Sequence, residues 1–168
     1  IPNFDDETYI NYQDNEGMTA LMYACSLPKS PGGLIYKMLT SNVNFDVNLQ
    51  DNKGMTALMH AIINVKKYSV DSKFKNNVDE LLVTSDVWPE LKTGLINAYG
   101  RTTMHMALSH HYNIPHSARI DILEKLIVYG GNINIQNSEG NTLAHYAIIY
   151  QPEYFEWLIN KNVVFRCS

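Results

Sequence analysis

A chain of 168 residues, 45% hydrophobic and 18% charged, is large enough for one ordinary core or a short stack of repeated units, and requires no second domain. Its formal charge of -4, with 13 Lys and Arg against 17 Asp and Glu, offers no global attraction for phosphate backbones and argues against nucleic acid as a partner. Two cysteines, Cys25 and Cys167, make neither a disulfide framework nor a metal knuckle, and no apolar run reaches the length of a membrane span, so a reducing, intracellular setting in cytoplasm or nucleus is expected.

In chain order, Ile1 to Tyr12 reads as the tail of a preceding unit, and with no signal peptide at Ile1-Pro2-Asn3 the sequence is expected to be a fragment of a longer chain. Asp14-Asn15-Glu16-Gly17-Met18-Thr19-Ala20-Leu21-Met22 then opens a phrase that returns three times. Apolar spacing predicts a helix from Leu21 to Cys25, a Pro- and Gly-rich break over Leu27 to Gly33, and a second helix from Leu34 to Leu39. The extended stretch Val47 to Gln50 leads into the second phrase, Asp51 to Met59, with helices predicted at Ala57 to Ile63 and Val78 to Val83. The third phrase, Asn97 to His105, precedes helices at Met104 to Leu108 and Ile120 to Val128; the fourth, Asn137 to His145, precedes Leu143 to Ile149 and Glu153 to Ile159. Asn162 to Ser168 reads as part of a further finger. In each phrase Asp or Asn can bond its own backbone, Gly accepts positive φ, and Thr two residues later is a natural N-cap. Helices this short need neighbours to be stable.

The phrase resembles the ankyrin repeat, with its Asp-x-x-Gly-x-Thr-Pro-Leu-His-x-Ala pattern, second-helix Leu-Leu pair and Val-Asn before the next finger. Leu126-Ile127, Gly130, Ile133-Asn134, Asn137, Gly140, Thr142 and Ala147 fall in register together. The resemblance implies an all-α solenoid of about four helix-turn-helix units with β-hairpin-like fingers. It implies a single domain over 1–168, with a partial repeat at 1–12 and repeats at about 13–49, 50–95, 96–135 and 136–168. Two departures stand out. The glycines at Gly17, Gly54, Gly100 and Gly140 are spaced wider than the family's period of about 33 residues. This places inserted loops at Ser26 to Gly33, Asn64 to Asn77 and Ser109 to Ser117, and a lengthened run from Thr84 to Gly94 in which Trp88 is expected to pin the chain onto the second helices, an interface anchor being the alternative. The family's proline is absent, replaced by Ala20, Ala57, Thr103 and Leu143.

The resemblance further implies a module for protein–protein interaction through the fingers and the concave helix face. The alternative is a regulatory or targeting domain acting in cis on a neighbouring domain of a larger enzyme or transcription regulator. The family geometry assigns Asn15, Glu16, Met18 and Ser26; Asn52, Lys53, Met55 and Ile63; Ala98, Tyr99, Arg101 and Ser109; and Ser138, Glu139, Asn141 and Ile149 to the binding face. For the Met and Tyr residues, packing between adjacent fingers stays open as the alternative. His105 and His145 are expected to bond backbone near helix starts, and Asn134 stands where the family offers an asparagine-hydroxylation acceptor.

No catalytic set can be assembled from the sequence. It has no phosphate loop, Gly-x-Ser-x-Gly, His-Glu-x-x-His or Cys-x-x-Cys. His110, His111 and His116 lack nearby cysteines and have few acids, so no metal is expected. Asp5-Asp6-Glu7 and Asp79-Glu80 read as solvated charge at element starts, and Cys25 as a buried, inert thiol. The expectation is a non-enzymatic chain without cofactor, monomeric in itself, with another protein as partner and no membrane or nucleic acid.

Overall fold

The computed structural model describes residues 7–27, 33–41, 43–65, 77–83, 91–109, 111–112 and 114–161. A 3-10 turn at Glu7–Asn11 precedes eight α-helices among the described residues. They are α1 (Ala20–Ser26), α2 (Leu34–Leu39), α3 (Ala57–Ile63), α4 (Asn77–Val83), α5 (Thr103–Leu108), α6 (His116–Val128), α7 (Leu143–Tyr150) and α8 (Phe155–Asn160). A second 3-10 turn, Pro152–Tyr154, leads into α8. The chain is an all-α stack of helix pairs, each entered through a finger.

The odd-numbered helices all start in one way. Thr19, Thr56 and Thr102 are extended at the N-cap, and each hydroxyl accepts the N–H three residues on, from Met22, Met59 and His105. Thr142 is extended in the same way, and its N–H donates to His145 Nδ1 at 3.2 Å as the Thr19 N–H does to Met22 Sδ. Packing then supplies what propensity cannot. α1 packs on α3, α3 on α5 and α5 on α7, while α2 packs on α4 and each odd helix on its own partner. Leu21, Met22, Leu58, Met59, Ile62, Met104, Met106 and Leu108 from the first helices are fully buried with Ile35, Leu39, Leu82 and Tyr154. Each buried aliphatic side chain contributes about 1.5–3 kcal/mol.

The row of second helices is joined by polar contacts that their sequences do not advertise. Asp79 and Glu80 were expected as solvated charge, yet both are buried. Asp79 on α4 bonds Lys125 on α6. Glu80 accepts the Tyr36 N–H at 3.1 Å, capping α2, whose own N-cap residue Gly33 offers no side chain. Burial raises the Glu80 pKa against that bond. Asn77, at the start of α4, donates to the carbonyls of Cys25 and Leu27 at 3.0 and 2.8 Å and so holds the end of α1. Further along, Glu124 on α6 accepts from Trp157 Nε1 at 3.2 Å and Lys161 Nζ at 3.1 Å.

α6 begins at His116 rather than at Ile120 as expected, so the third insert is shorter than the sequence reading has it. Pro115 sets this boundary, its fixed φ of -57° leading into the first turn. The connection before α6 is closed by Arg119. Its buried guanidinium donates to the carbonyls of Ala107 (2.7 Å), Ser109 (2.9 Å), Ile114 (3.1 Å) and Tyr112 (3.4 Å) and lies over the Tyr154 ring. Most of the inserts at 26–33 and 64–77, and of the run at 84–94 with Trp88, falls outside the described residues.

Candidate functional site

Four fingers share one hydrogen-bond scheme. The first residue, Asp14, Asp51, Asn97 or Asn137, donates its N–H to the carbonyl four residues on and accepts the glycine N–H on its own carbonyl, at 2.8–3.1 Å throughout. Its side-chain Oδ1 accepts two more N–H groups, from the third and fifth finger residues: Glu16 and Met18, Lys53 and Met55, Tyr99 and Arg101, Glu139 and Asn141. These are tight turns rather than extended hairpins; among the described residues the only ladder element is the single bridge between Ile96 and Thr102. Gly17, Gly54, Gly100 and Gly140 take φ between +67° and +78°. At Gly54 a Cβ would also lie 2.9 Å from Ala98 N, so the next finger could not approach.

The other side-chain atom of the first finger residue reaches nine residues ahead. Asp14 accepts from Tyr23 Oη at 2.6 Å and Asp51 from His60 Nε2 at 2.9 Å. Asn97 donates to Met106 Sδ at 3.6 Å and Asn137 to Tyr146 Oη at 3.4 Å. A carboxylate is met by a donor and an amide by an acceptor. The Tyr23 hydroxyl holds the Asp14 carboxyl below its ordinary range and is itself raised in pKa by that carboxylate.

Adjacent fingers are bonded as well. Asn52 N–H donates to Glu16 O at 3.0 Å, Ala98 N–H to Lys53 O at 2.8 Å and Ser138 N–H to Gly100 O at 3.1 Å, the last shifted by one residue. Gln13 Nε2 spans Gly17 O and Gln50 O, and Gln50 Nε2 spans Gly54 O and Ile96 O. These glutamines go unassigned in the sequence reading, although Gln13, Gln50 and Gln136 each precede a finger and could have been noticed. Ile96 takes that place before the third finger.

The residues expected on the binding face divide into three groups. Asn15, Glu16, Lys53, Ala98, Tyr99, Glu139 and Ile149 are exposed, Tyr99 by 66%. Asn52 and Ser138 are also exposed, but their side chains bond Asn15 O and Tyr99 O across neighbouring fingers. Arg101 and Asn141 are half-buried, as are Ser26 and Ile63, while Ser109 is buried. Met18 and Met55 correct the expectation: at 9% and 6% exposure they are core residues. The fifth finger residue sits where the chain turns back into the helix, so an apolar side chain there is drawn under the neighbouring unit. Asn97 Nδ2 reaches Met55 Sδ at 3.5 Å.

His105 is fully buried and spans two units. Its Nε2 donates to Asn141 O at 2.9 Å and its Nδ1 accepts from the Thr102 hydroxyl at 2.8 Å, which fixes the neutral tautomer. Burial lowers its pKa to about 4. Its ring meets Tyr146 edge-on, and Tyr146 meets Tyr150 in the same way.

Among the described residues, the other histidines of the third insert and Cys25 sit in structural contacts. His116 Nδ1 lies 2.7 Å from Tyr154 Oη and His111 packs near Tyr150, while His110 falls outside the described residues; among those residues no group of three His, Cys, Asp or Glu could hold a metal. Burial pushes the Cys25 thiol far above its ordinary range, which leaves it without nucleophilic thiolate. A shallow recess between the first 3-10 turn and the chain near Lys92 has its polar lining occupied: Asn11 bonds Asn44 and Asp46, and Asn48 bonds Lys92 N–H. No helix among the described residues is long and apolar enough to cross a membrane.

Residues 5–72 match the family model described as ankyrin repeats in three copies. A protein of Acanthamoeba polyphaga mimivirus named as an ankyrin repeat protein is 47% identical over 49 residues, which make up 29% of this chain. The match spans 6% of that protein's own length.

Proposed function

Since this chain belongs to the ankyrin-repeat family, whose repeats generally serve protein–protein interaction, we propose that it docks a partner protein along the edge formed by its four finger tips and the adjoining face of the first helices. One observation carries this reading: each finger is held by the same repeated set of backbone hydrogen bonds inside the stack, yet Glu16, Lys53, Tyr99 and Arg101 form no side-chain hydrogen bond or ion pair among the described residues. Rigid support under uncommitted side chains suits a recognition surface, because little backbone ordering entropy is left to lose on binding. Tyr and Arg are also the residue types that concentrate binding energy at interfaces.

The test is a triple variant, Lys53→Ser, Tyr99→Ser and Arg101→Ser, compared with the parent chain in affinity capture from a cell extract followed by mass spectrometry. Far-UV circular dichroism is expected to be unchanged and the captured partner lost. Capture of the same proteins by both chains would remove the finger edge from consideration.

A further inference from the structure

The side chains along the finger edge carry an ordered pattern of charge. The third residue of each finger is Glu16, Lys53, Tyr99 and Glu139 in turn, and Arg101 stands beside Tyr99 on the same finger. Asn97 Oδ1 holds the N–H groups of both Tyr99 and Arg101, while Ala98 N–H donates to Lys53 O at 2.8 Å, so the two cations occupy adjoining, hydrogen-bonded fingers. Neither cation is neutralised by an ion pair within the described stack, whereas Lys125 on α6 and Lys161 just after α8 both are. The acidic tips Glu16 and Glu139 stand on the outer fingers. Read along the stack, the edge runs negative, positive, aromatic with positive, negative.

We infer that the partner is recognised through an extended segment whose centre is acidic and whose ends are basic, with its central carboxylates on Lys53 and Arg101 and an apolar or aromatic side chain against Tyr99. The inference rests on the finger edge being the docking face and adds the chemistry of what lies on it. Charge complementarity along this edge selects the sign, and spacing selects the conformation. Packed helices stand about 8–10 Å apart, which sets the step between fingers. An extended chain of polyproline II type rises about 3.1 Å per residue with about three residues per turn, so residues three apart share a face and meet successive fingers. A continuous segment of this kind can therefore address all four tips. A helical segment, rising about 1.5 Å per residue, would need six residues per finger and would bring successive contacts onto different faces. The alternation of sign also excludes a uniformly acidic partner, because Glu16 and Glu139 would repel its ends.

The test is selection of a random decapeptide library displayed on phage, run in parallel on the parent chain, on a K53E/R101E double variant and on a K53S/Y99S/R101S variant. All three are checked for unchanged helical circular dichroism. The parent is expected to enrich peptides with two acids about three residues apart and bases outside them, and the binding of a synthetic selected peptide is expected to weaken as salt rises. The double reversal is expected to weaken that peptide by about tenfold or more, since each exposed pair contributes only a factor of about two to five before repulsion is added. It is also expected to enrich peptides of opposite central charge. Peptides without a charge pattern that the serine variant fails to bind would overturn the acidic-segment inference and leave the finger edge as the docking face. The same peptides on all three chains would overturn both readings, and no enrichment on the parent would overturn the inference.

Discussion

Replacing Arg119 with leucine keeps a buried aliphatic stem and removes the donors that close the connection between α5 and α6. The guanidinium bonds Ala107 O, Ser109 O and Ile114 O at 2.7–3.1 Å, with a longer bond to Tyr112 O at 3.4 Å. Hydrogen bonds to a charged donor contribute roughly 1.5–3 kcal/mol each, and a buried carbonyl left unpaired costs about 1–3 kcal/mol. Against this stands relief from burying a charge, a cost visible in the lowered Arg119 pKa. Counting about 1 kcal/mol for each of the three short bonds after that offset gives a loss of about 3 kcal/mol. With a urea slope of about 2 kcal/mol per molar, the midpoint falls by about 1.5 M. Urea titration followed by circular dichroism reads this directly. Arg119→Lys, which keeps the charge but not the fork, is expected to recover less than half of the loss. If both variants stay within about 1 kcal/mol of the parent, Arg119 does not hold the connection closed.

The fingers predict a contrast between two glycines of equal backbone geometry. Gly54→Ala and Gly140→Ala each incur the left-handed penalty of roughly 1–2 kcal/mol. At Gly54 the new Cβ also meets the Ala98 and Asn97 backbone at 2.9 Å, whereas at Gly140 the nearest atom is 4.0 Å away. Gly54→Ala is therefore expected to cost about 1–3 kcal/mol more in thermal or urea unfolding, and equal losses would discount the finger-to-finger contact. His105 predicts a pH dependence. Its folded pKa of about 4 lies below the unfolded value of 6.5, so the unfolded chain binds the extra proton between them. Its contribution is complete above about pH 6.5 and declines by on the order of 3 kcal/mol as pH falls towards 4. His105→Gln is expected to flatten the stability profile across that window; an unchanged slope would assign the acid sensitivity to other groups.

The fold was legible because its signals are local. Asp or Asn, Gly and Thr at fixed offsets specify the turn, the positive φ and the N-cap without reference to distant chain, and the apolar spacing locates the helices that follow. Long-range partnerships were not legible. Glu80 reads as surface charge because its acceptor role depends on the start of α2, 44 residues earlier. Arg119 has no role assigned from sequence, since nothing nearby in the chain shows four carbonyls converging on it. Met18 and Met55 show the same limit at the site. Residue type and finger position place them outward, but the bond from each backbone N–H to the finger carboxylate turns the chain back beneath its neighbour. Asn15, Glu16, Lys53, Tyr99 and Glu139 are exposed because the turn alone determines where those positions lie.

The pairing of each finger's leading residue with the side chain nine positions later has a consequence for anyone transplanting these units. A finger cannot be exchanged as five residues. Moving Asp51 without His60 strands a carboxylate, and moving Asn97 without Met106 strands an amide. The transferable cassette runs from the leading residue through the middle of the following helix, and drift within it is expected to proceed by coupled replacement, acid with donor and amide with acceptor.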